Sequence, residues 1–215
     1  MQLQSYDTLD HTVYTQLKEM IINKKLQPGE LIVQNQLSQC LGVSRTPLRK
    51  ALAQLEKEGL LAGTPKGWYI KEFTNEDMIS VFRIRALMEG LACRLAAPKM
   101  EYADIVYLKT LFEEGYRQVR DRKAQAYYQA DVRFHKFITD ATQDAMLIQT
   151  IENNKIIMTS QVQGLYRDPE ETIVEHMDIL DALAKKDGEA AENLMRKHIE
   201  KAIPLLESGE FSIYK

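Results

Sequence analysis

Apolar residues recur along most of this chain at intervals of three and four, the period of an amphipathic helix. Val13, Leu17, Met20 and Ile21 mark one helix over about residues 10–25, and the turn Leu26-Gln27-Pro28-Gly29 stops it. A short second helix is expected from Gln34 to Leu41, with Leu37, Cys40 and Leu41 on its buried side. Gly42 supplies a sharp turn, and Ser44 is a good N-cap for a third helix. Pro47 then falls in the first helical turn, where a missing N–H costs nothing. Leu48, Ala51, Leu52 and Leu55 continue as one stripe until Glu58-Gly59, leaving Arg45, Thr46 and Arg49 off the stripe at the exposed N-terminal end.

The period changes once. Residues 60–64 and 67–71 are short β-prone runs joined around Pro65-Lys66-Gly67, a hairpin signal. From Thr74 onward strand signals vanish and six helices are expected, over about 75–97, 101–121, 123–141, 144–163, 169–186 and 189–207. Thr74-x-x-Asp77 approximates a capping box. Asp168-Pro169-Glu170-Glu171 places an N-cap, a proline and two acids where a helix begins. The resulting fold class is mostly α. Residues 1–73 form a winged helix-turn-helix and residues 74–215 an all-α six-helix bundle.

Helix, glycine turn, then a helix presenting arginines at its start is the arrangement whose second helix enters the DNA major groove. Lys66 and Gly67 at the hairpin tip can reach the backbone or minor groove. The plainer alternatives are a helical hairpin with a solvated basic patch, and a hairpin that only connects.

Charge bears on this choice. The chain of 215 residues carries a net −3, which by itself argues mildly against nucleic acid. Residues 1–73, however, hold nine Lys/Arg against seven Asp/Glu, a net +2, and the remainder nets −5. The basic excess travels with the helix-turn-helix and is small, which suits modest non-specific affinity. Hydrophobic residues at 45% and charged residues at 27% are those of a globular protein. No run approaches the roughly 20 apolar residues of a membrane span. The start, MQLQSYDTLDH, has neither the basic nor the apolar region of a secretory signal. Cys40 and Cys93 lack metal or redox spacing and read as reduced core residues. A cytoplasmic protein without a membrane partner is the expectation.

The bundle holds three of the four histidines, all on inward stripes. Tyr128, Asp131, His135 and Ile138 form one line, and the four-residue spacing of Asp131 and His135 converges them on one spot. His176 lies on the stripe Ile173, His176, Leu180, Leu183, and His198 on Ala191, Met195, His198, Ala202, Leu205. Buried polar groups cost several kcal/mol unless paired. Three nitrogens and one oxygen suit a divalent Zn, Ni, Co or Mn ion with positions left for a ligand. The alternative is that each histidine is separately hydrogen-bonded in the core.

Two resemblances sharpen these readings. The first 73 residues resemble the winged-helix domain of GntR-family bacterial regulators. The matching residues are Leu26-x-Pro28-Gly29, Leu37, Leu41-Gly42-Val43-Ser44-Arg45-x-Pro47-Leu48-Arg49, Ala51-Leu52, Leu55, Glu58-Gly59-Leu60 and Gly67. Two departures are Lys50, where the family often has an acid, and Gln34-Asn35-Gln36, where some members carry a DNA-binding arginine.

The bundle resembles the FCD effector domain of the FadR branch, and its six helices resemble the VanR subgroup. Here the match lies in Arg85-x-x-x-Glu89 with Leu95-Ala96-Ala97, Asp131-x-x-Phe134-His135, and Glu175-His176, Asp187, Ala190-Ala191 and His198. Gln143-Asp144-Ala145 departs from a Gly-Asn pair seen in many members.

These resemblances imply a homodimeric, ligand-controlled transcriptional regulator, most often a repressor, on a two-fold operator. Arg45 and Arg49 would contact bases or phosphates, with Ser44, Thr46, Lys66 and Gly67 completing the DNA-facing set. Asp131, His135, His176 and His198 match the metal ligands of metal-containing members. A small organic acid would bind beside the ion, with Arg85 a candidate for its far end, unless Arg85 and Glu89 are only a surface pair. Residues 164–167 are a candidate lid. Two rival readings remain: a regulator that senses metal alone, and a metal-dependent hydrolase in which Glu175 is the one available acid or base.

Overall fold

The computed structural model describes residues 3–23, 25–120, 123–152 and 166–209. The chain divides into two compact units, one ending at Phe73 and one beginning at Thr74.

The first unit contains α1 (Leu3–Ile22), α2 (Gln34–Leu41), α3 (Arg45–Lys57), β1 (Leu61–Thr64) and β2 (Gly67–Ile70). Val13, Leu17 and Ile21 of α1 bury against Leu48, Leu52 and Leu55 of α3 and Leu37 of α2. Each such side chain contributes about 1.5–3 kcal/mol by leaving water. Gly42 ends α2 with φ +65°, a left-handed conformation that costs glycine nothing. Ser44 occupies the N-cap position of α3, but its hydroxyl makes no capping hydrogen bond. Cys40 is exposed, against expectation. Over only two turns the inward side of α2 is Leu37 and Leu41, and Val43 beyond the turn packs on the core instead.

The strands pair antiparallel, Leu61 with Ile70 through Thr64 with Gly67, leaving Pro65 and Lys66 at the tip. Leu31 adds an isolated bridge to Tyr69, so the chain after α1 lies along the wing as a rudimentary third strand.

The second unit contains α4 (Asn75–Ala96), α5 (Tyr102–Arg117), α6 (Gln125–Ala141), α7 (145–152), α8 (Pro169–Ala184), α9 (Gly188–Glu200) and α10 (Ile203–Ser208). The helix expected over 144–163 is described as far as 152; its remainder and the break at Gly164 lie outside the described residues.

Three helix starts are explained by their sequences. Thr74 and Asp77 close a reciprocal capping box, Asp168 accepts from the amide of Glu170, and Asp187 accepts from that of Ala190. At Gly188 a Cβ would stand 2.9 Å from the carbonyl oxygen of Arg94, so α9 can lie close against α4 only with glycine there.

Two boundaries differ from expectation. Helix α5 ends at Arg117, and residues 120 and 123 then form an isolated bridge. The single helix expected over 189–207 is two helices, because Pro204 cannot donate to the carbonyl of Glu200 and its ring crowds that turn. The break rotates the buried stripe, so Leu206, and not Leu205, is the residue in the core.

Candidate metal centre and DNA-reading surface

Helices α6, α8 and α9 bring Asp131, His135, His176 and His198 together, with one ligand atom from each lying within 4.8 Å of the others. The three imidazoles are almost wholly buried. Phe112 stacks on His176 with ring centroids 4.2 Å apart, and Phe134 meets it edge-on at 4.8 Å, so one wall is apolar.

Each imidazole is held from behind at Nδ1, by a different group. Glu89 Oε2 on α4 lies 2.6 Å from His135 Nδ1. Tyr127 Oη on α6 lies 3.1 Å from His176 Nδ1. Glu175 Oε2 on α8 lies 2.8 Å from His198 Nδ1. In each ring Nε2 remains. Nε2 of His135 is 3.7 Å and Nε2 of His176 is 3.3 Å from the same Asp131 oxygen, Oδ1.

His176 Nε2 is buried and makes no hydrogen bond. Were this nitrogen a bare acceptor, facing a carboxylate would be unfavourable unless something positive stood between them. The donor set is that of a divalent transition metal, and the Nδ1 partners are of the kind that orient metal-bound histidines. The residues fit the ion.

The electrostatics agree with neutral imidazoles at two positions. Burial, reinforced by the nearby His198, lowers the His176 pKa to about 3. Burial also lowers His198, although Glu175 opposes it. His135 differs: burial would lower it, but Glu89 and Asp131 together outweigh that and raise it. Asp131 stays well below the ordinary carboxylate range, since His135 and His176 overcome the upward push of burial.

Around this cluster lie residues that sequence periodicity did not pick out. Arg85 and Glu89 do pair, at 2.7 Å, but the pair is buried and belongs to the support of His135. The guanidinium of Arg85 also lies over Phe82, 5.3 Å from the ring centre. Glu175 takes Arg167 at 2.5 Å and Lys201 at 2.6 Å as well as His198. Burial would raise its pKa, but the hydrogen bonds from His198, Arg167 and Lys201 hold it below the carboxylate range. Tyr127 is the buried tyrosine of α6, whereas Tyr128, placed on the inward line by spacing, is half-buried at its flank. Of residues 164–167, Gly164 and Leu165 lie outside the described residues. Tyr166 packs edge-on against Phe82, and Arg167 is held by Glu171 and Glu175.

In the first unit, Ser44, Arg45, Thr46 and Arg49 are exposed together on the opening turns of α3, Lys66 is exposed at the wing tip, and Gly67 is half-buried. Asn35 of α2 accepts a hydrogen bond from Arg45 at 2.5 Å. Lys50 is paired with Asp10 of α1 at 2.7 Å, which offsets its charge beside the arginines.

Residues 9–69 match the family of bacterial regulatory proteins called gntR, and residues 80–201 match the FCD domain. The HTH-type transcriptional regulator YdhC of Bacillus subtilis (strain 168) is 32% identical over 190 residues, spanning 86% of this chain and 85% of YdhC. This chain belongs to the GntR family, with an FCD domain. The HTH-type transcriptional repressor RspR of Escherichia coli (strain K12) is 26% identical to it over 204 residues, covering 93% of this chain and 89% of RspR. The structure of E. coli McbR/YncC shares the fold, with a TM-score of 0.76 at 24% identity over 94% of this chain and 98% of that one.

GntR-family proteins with FCD domains are DNA-binding transcriptional regulators, not enzymes, and this chain is one of them. No described helix is long and apolar enough to cross a membrane.

Proposed function

We propose that this chain is a cytoplasmic, homodimeric repressor whose FCD domain holds one divalent transition metal, and whose operator affinity is set by a small carboxylate bound at that ion. Asp131, His135, His176 and His198 are the ligands. The observation that carries this reading is the triple anchoring of Nδ1, which leaves three Nε2 atoms and one carboxylate in a buried cluster. Four protein ligands leave positions for a carboxylate oxygen on six-coordinate Ni, Co or Mn, and on Zn only if it expands beyond four-coordination. Arg85 stands on the Glu89–His135 side of the cluster and is the candidate for the far end of the acid.

On DNA, Arg45 and Arg49 contact bases or phosphates, and Ser44, Thr46, Lys66 and Gly67 position the domain. A two-fold operator requires two copies. On α4, Ile84, Leu87 and Leu91 form an exposed apolar line, 43%, 55% and 41% accessible, which is the proposed contact between copies.

The test is a gel shift on duplexes selected from a random pool, with metal-loaded protein and a panel of small carboxylates. A carboxylate that changes affinity only when metal is present supports the reading. Operator binding that ignores every carboxylate overturns it.

A second reading, in which metal alone is the signal, is favoured by one observation. The Arg85 charge is already balanced by buried Glu89, which weakens it as an anchor for an acid. Stripped protein whose operator binding switches fully on adding metal alone would support that reading. The hydrolase alternative fails at Glu175, the acid or base it needs, since His198, Arg167 and Lys201 occupy that carboxylate.

A further inference from the structure

Two of the three anchored imidazoles rest on carboxylates, which can only accept a hydrogen bond. The third rests on a hydroxyl, which can donate or accept, so contact alone does not fix the tautomer of His176. The neighbours of that hydroxyl do. Tyr127 Oη lies 3.0 Å from Thr172 Oγ1, and Thr172 Oγ1 lies 3.1 Å from the carbonyl oxygen of Asp168. A carbonyl cannot donate, so it takes the single proton of Thr172. The Thr172 oxygen then accepts from Tyr127. With its proton committed, Tyr127 can meet His176 only as an acceptor, and Nδ1 must carry the ring proton.

We propose that Tyr127 and Thr172 form a one-way hydrogen-bond relay, running from His176 Nδ1–H to the Asp168 carbonyl, that fixes His176 with its Nε2 lone pair bare toward Asp131. The relay ends on Asp168, whose side chain caps α8 by accepting from the amide of Glu170. The start of α8 and the tautomer of a residue two turns along it are therefore set by one residue. Tyr127 and Thr172 are positioning residues, and their relevance to metal rests on the ligand assignment proposed above.

Histidine-selective nitrogen NMR on the metal-free protein reads the tautomer directly. In wild type, His176 is expected with Nδ1 protonated and Nε2 bare. Thr172→Val removes the acceptor for the Tyr127 proton, which turns toward His176 and reverses the tautomer; Thr172→Ser preserves it. Loss of a side-chain contact with no directional role would not produce that split. Tyr127→Phe is expected to weaken metal binding about 10–100-fold in a chelator competition. Wild type with Nε2 protonated, or a tautomer indifferent to Thr172→Val, overturns the relay. The Nδ1–H form in a protein that never takes up metal supports the relay and overturns the metal reading alone.

Discussion

Glu89 on α4 places Oε2 2.6 Å from Nδ1 of His135 on α6, while its Oε1 receives the Arg85 guanidinium at 2.7 Å. One buried carboxylate thus orients an imidazole of the candidate cluster and balances a buried cation. Removing one partner of a buried ion pair costs about 3–5 kcal/mol, because the other charge is left behind. Glu89→Gln is therefore expected to lower thermal stability sharply and to weaken metal binding by about 10–100-fold. Glu175 is more exposed, 15% against 2%. Glu175→Gln should lower metal affinity with a smaller loss of melting temperature, and equal losses in the two variants would contradict this ranking.

The imidazoles give the metal-free protein a signed pH dependence. His176 and His198 have folded pKa values below that of the unfolded chain. Their contribution is fully present above the unfolded value of about 6.5 and is lost as pH falls, down to about 3 for His176. His135 is raised and acts oppositely: its contribution is present below the unfolded value and is lost as pH rises through the folded one. Denaturant unfolding of stripped protein from pH 7 to pH 4 should show a shallower acid loss in His176→Asn than in wild type. Parallel curves would contradict the assignment.

Gln143 turns between α6 and α7 at φ +54°, and Lys186 turns between α8 and α9 at φ +58°. That region costs an L-residue about 1–2 kcal/mol and glycine nothing, less glycine's extra chain entropy of about 0.5–1 kcal/mol. Gln143 is exposed, so Gln143→Gly is expected to raise the melting temperature by about 2 °C. Lys186→Gly should not, since Lys186 Nζ bonds the carbonyl of Met100 and that contact is lost. Differential scanning calorimetry on the two variants separates these outcomes.

Arg49→Ala is expected to weaken binding to a selected operator tenfold or more, since a bidentate arginine–guanine contact is worth about 1–3 kcal/mol. Lys66→Ala at the wing tip should weaken all sequences alike and reduce the slope of log affinity against log salt by about 1. Salt-controlled gel shifts read both.

Leu87→Glu puts a charge in the middle of the exposed apolar line on α4. Light scattering is expected to find a dimer for wild type and a monomer for the variant, with secondary structure unchanged. A dimer that survives the substitution would place the contact elsewhere.

The DNA-reading half was legible because its signals are local. Gly42, Ser44 and Pro47 punctuate adjacent helices, and Leu48, Ala51, Leu52 and Leu55 show their inward face directly. The four clustered side chains were legible as polar residues on apolar stripes. Their supports were not. Glu89 and Glu175 look like ordinary surface acids on their own helices, and only the packing of α4 on α6 and α8 on α9 turns them inward. The choice of Tyr127 over Tyr128 depends on the rotation of α6, which periodicity fixes to about one residue. The break before α10 had a signal in Pro204, outweighed by the stripe running through it.

The most direct measurement is the metal content of purified protein beside that of His176→Ala. Near one transition-metal ion per chain in wild type, lost in the variant, is the expected result. Wild type that holds no metal, even after reloading with Zn, Ni, Co or Mn, would contradict the account of the FCD domain at its centre.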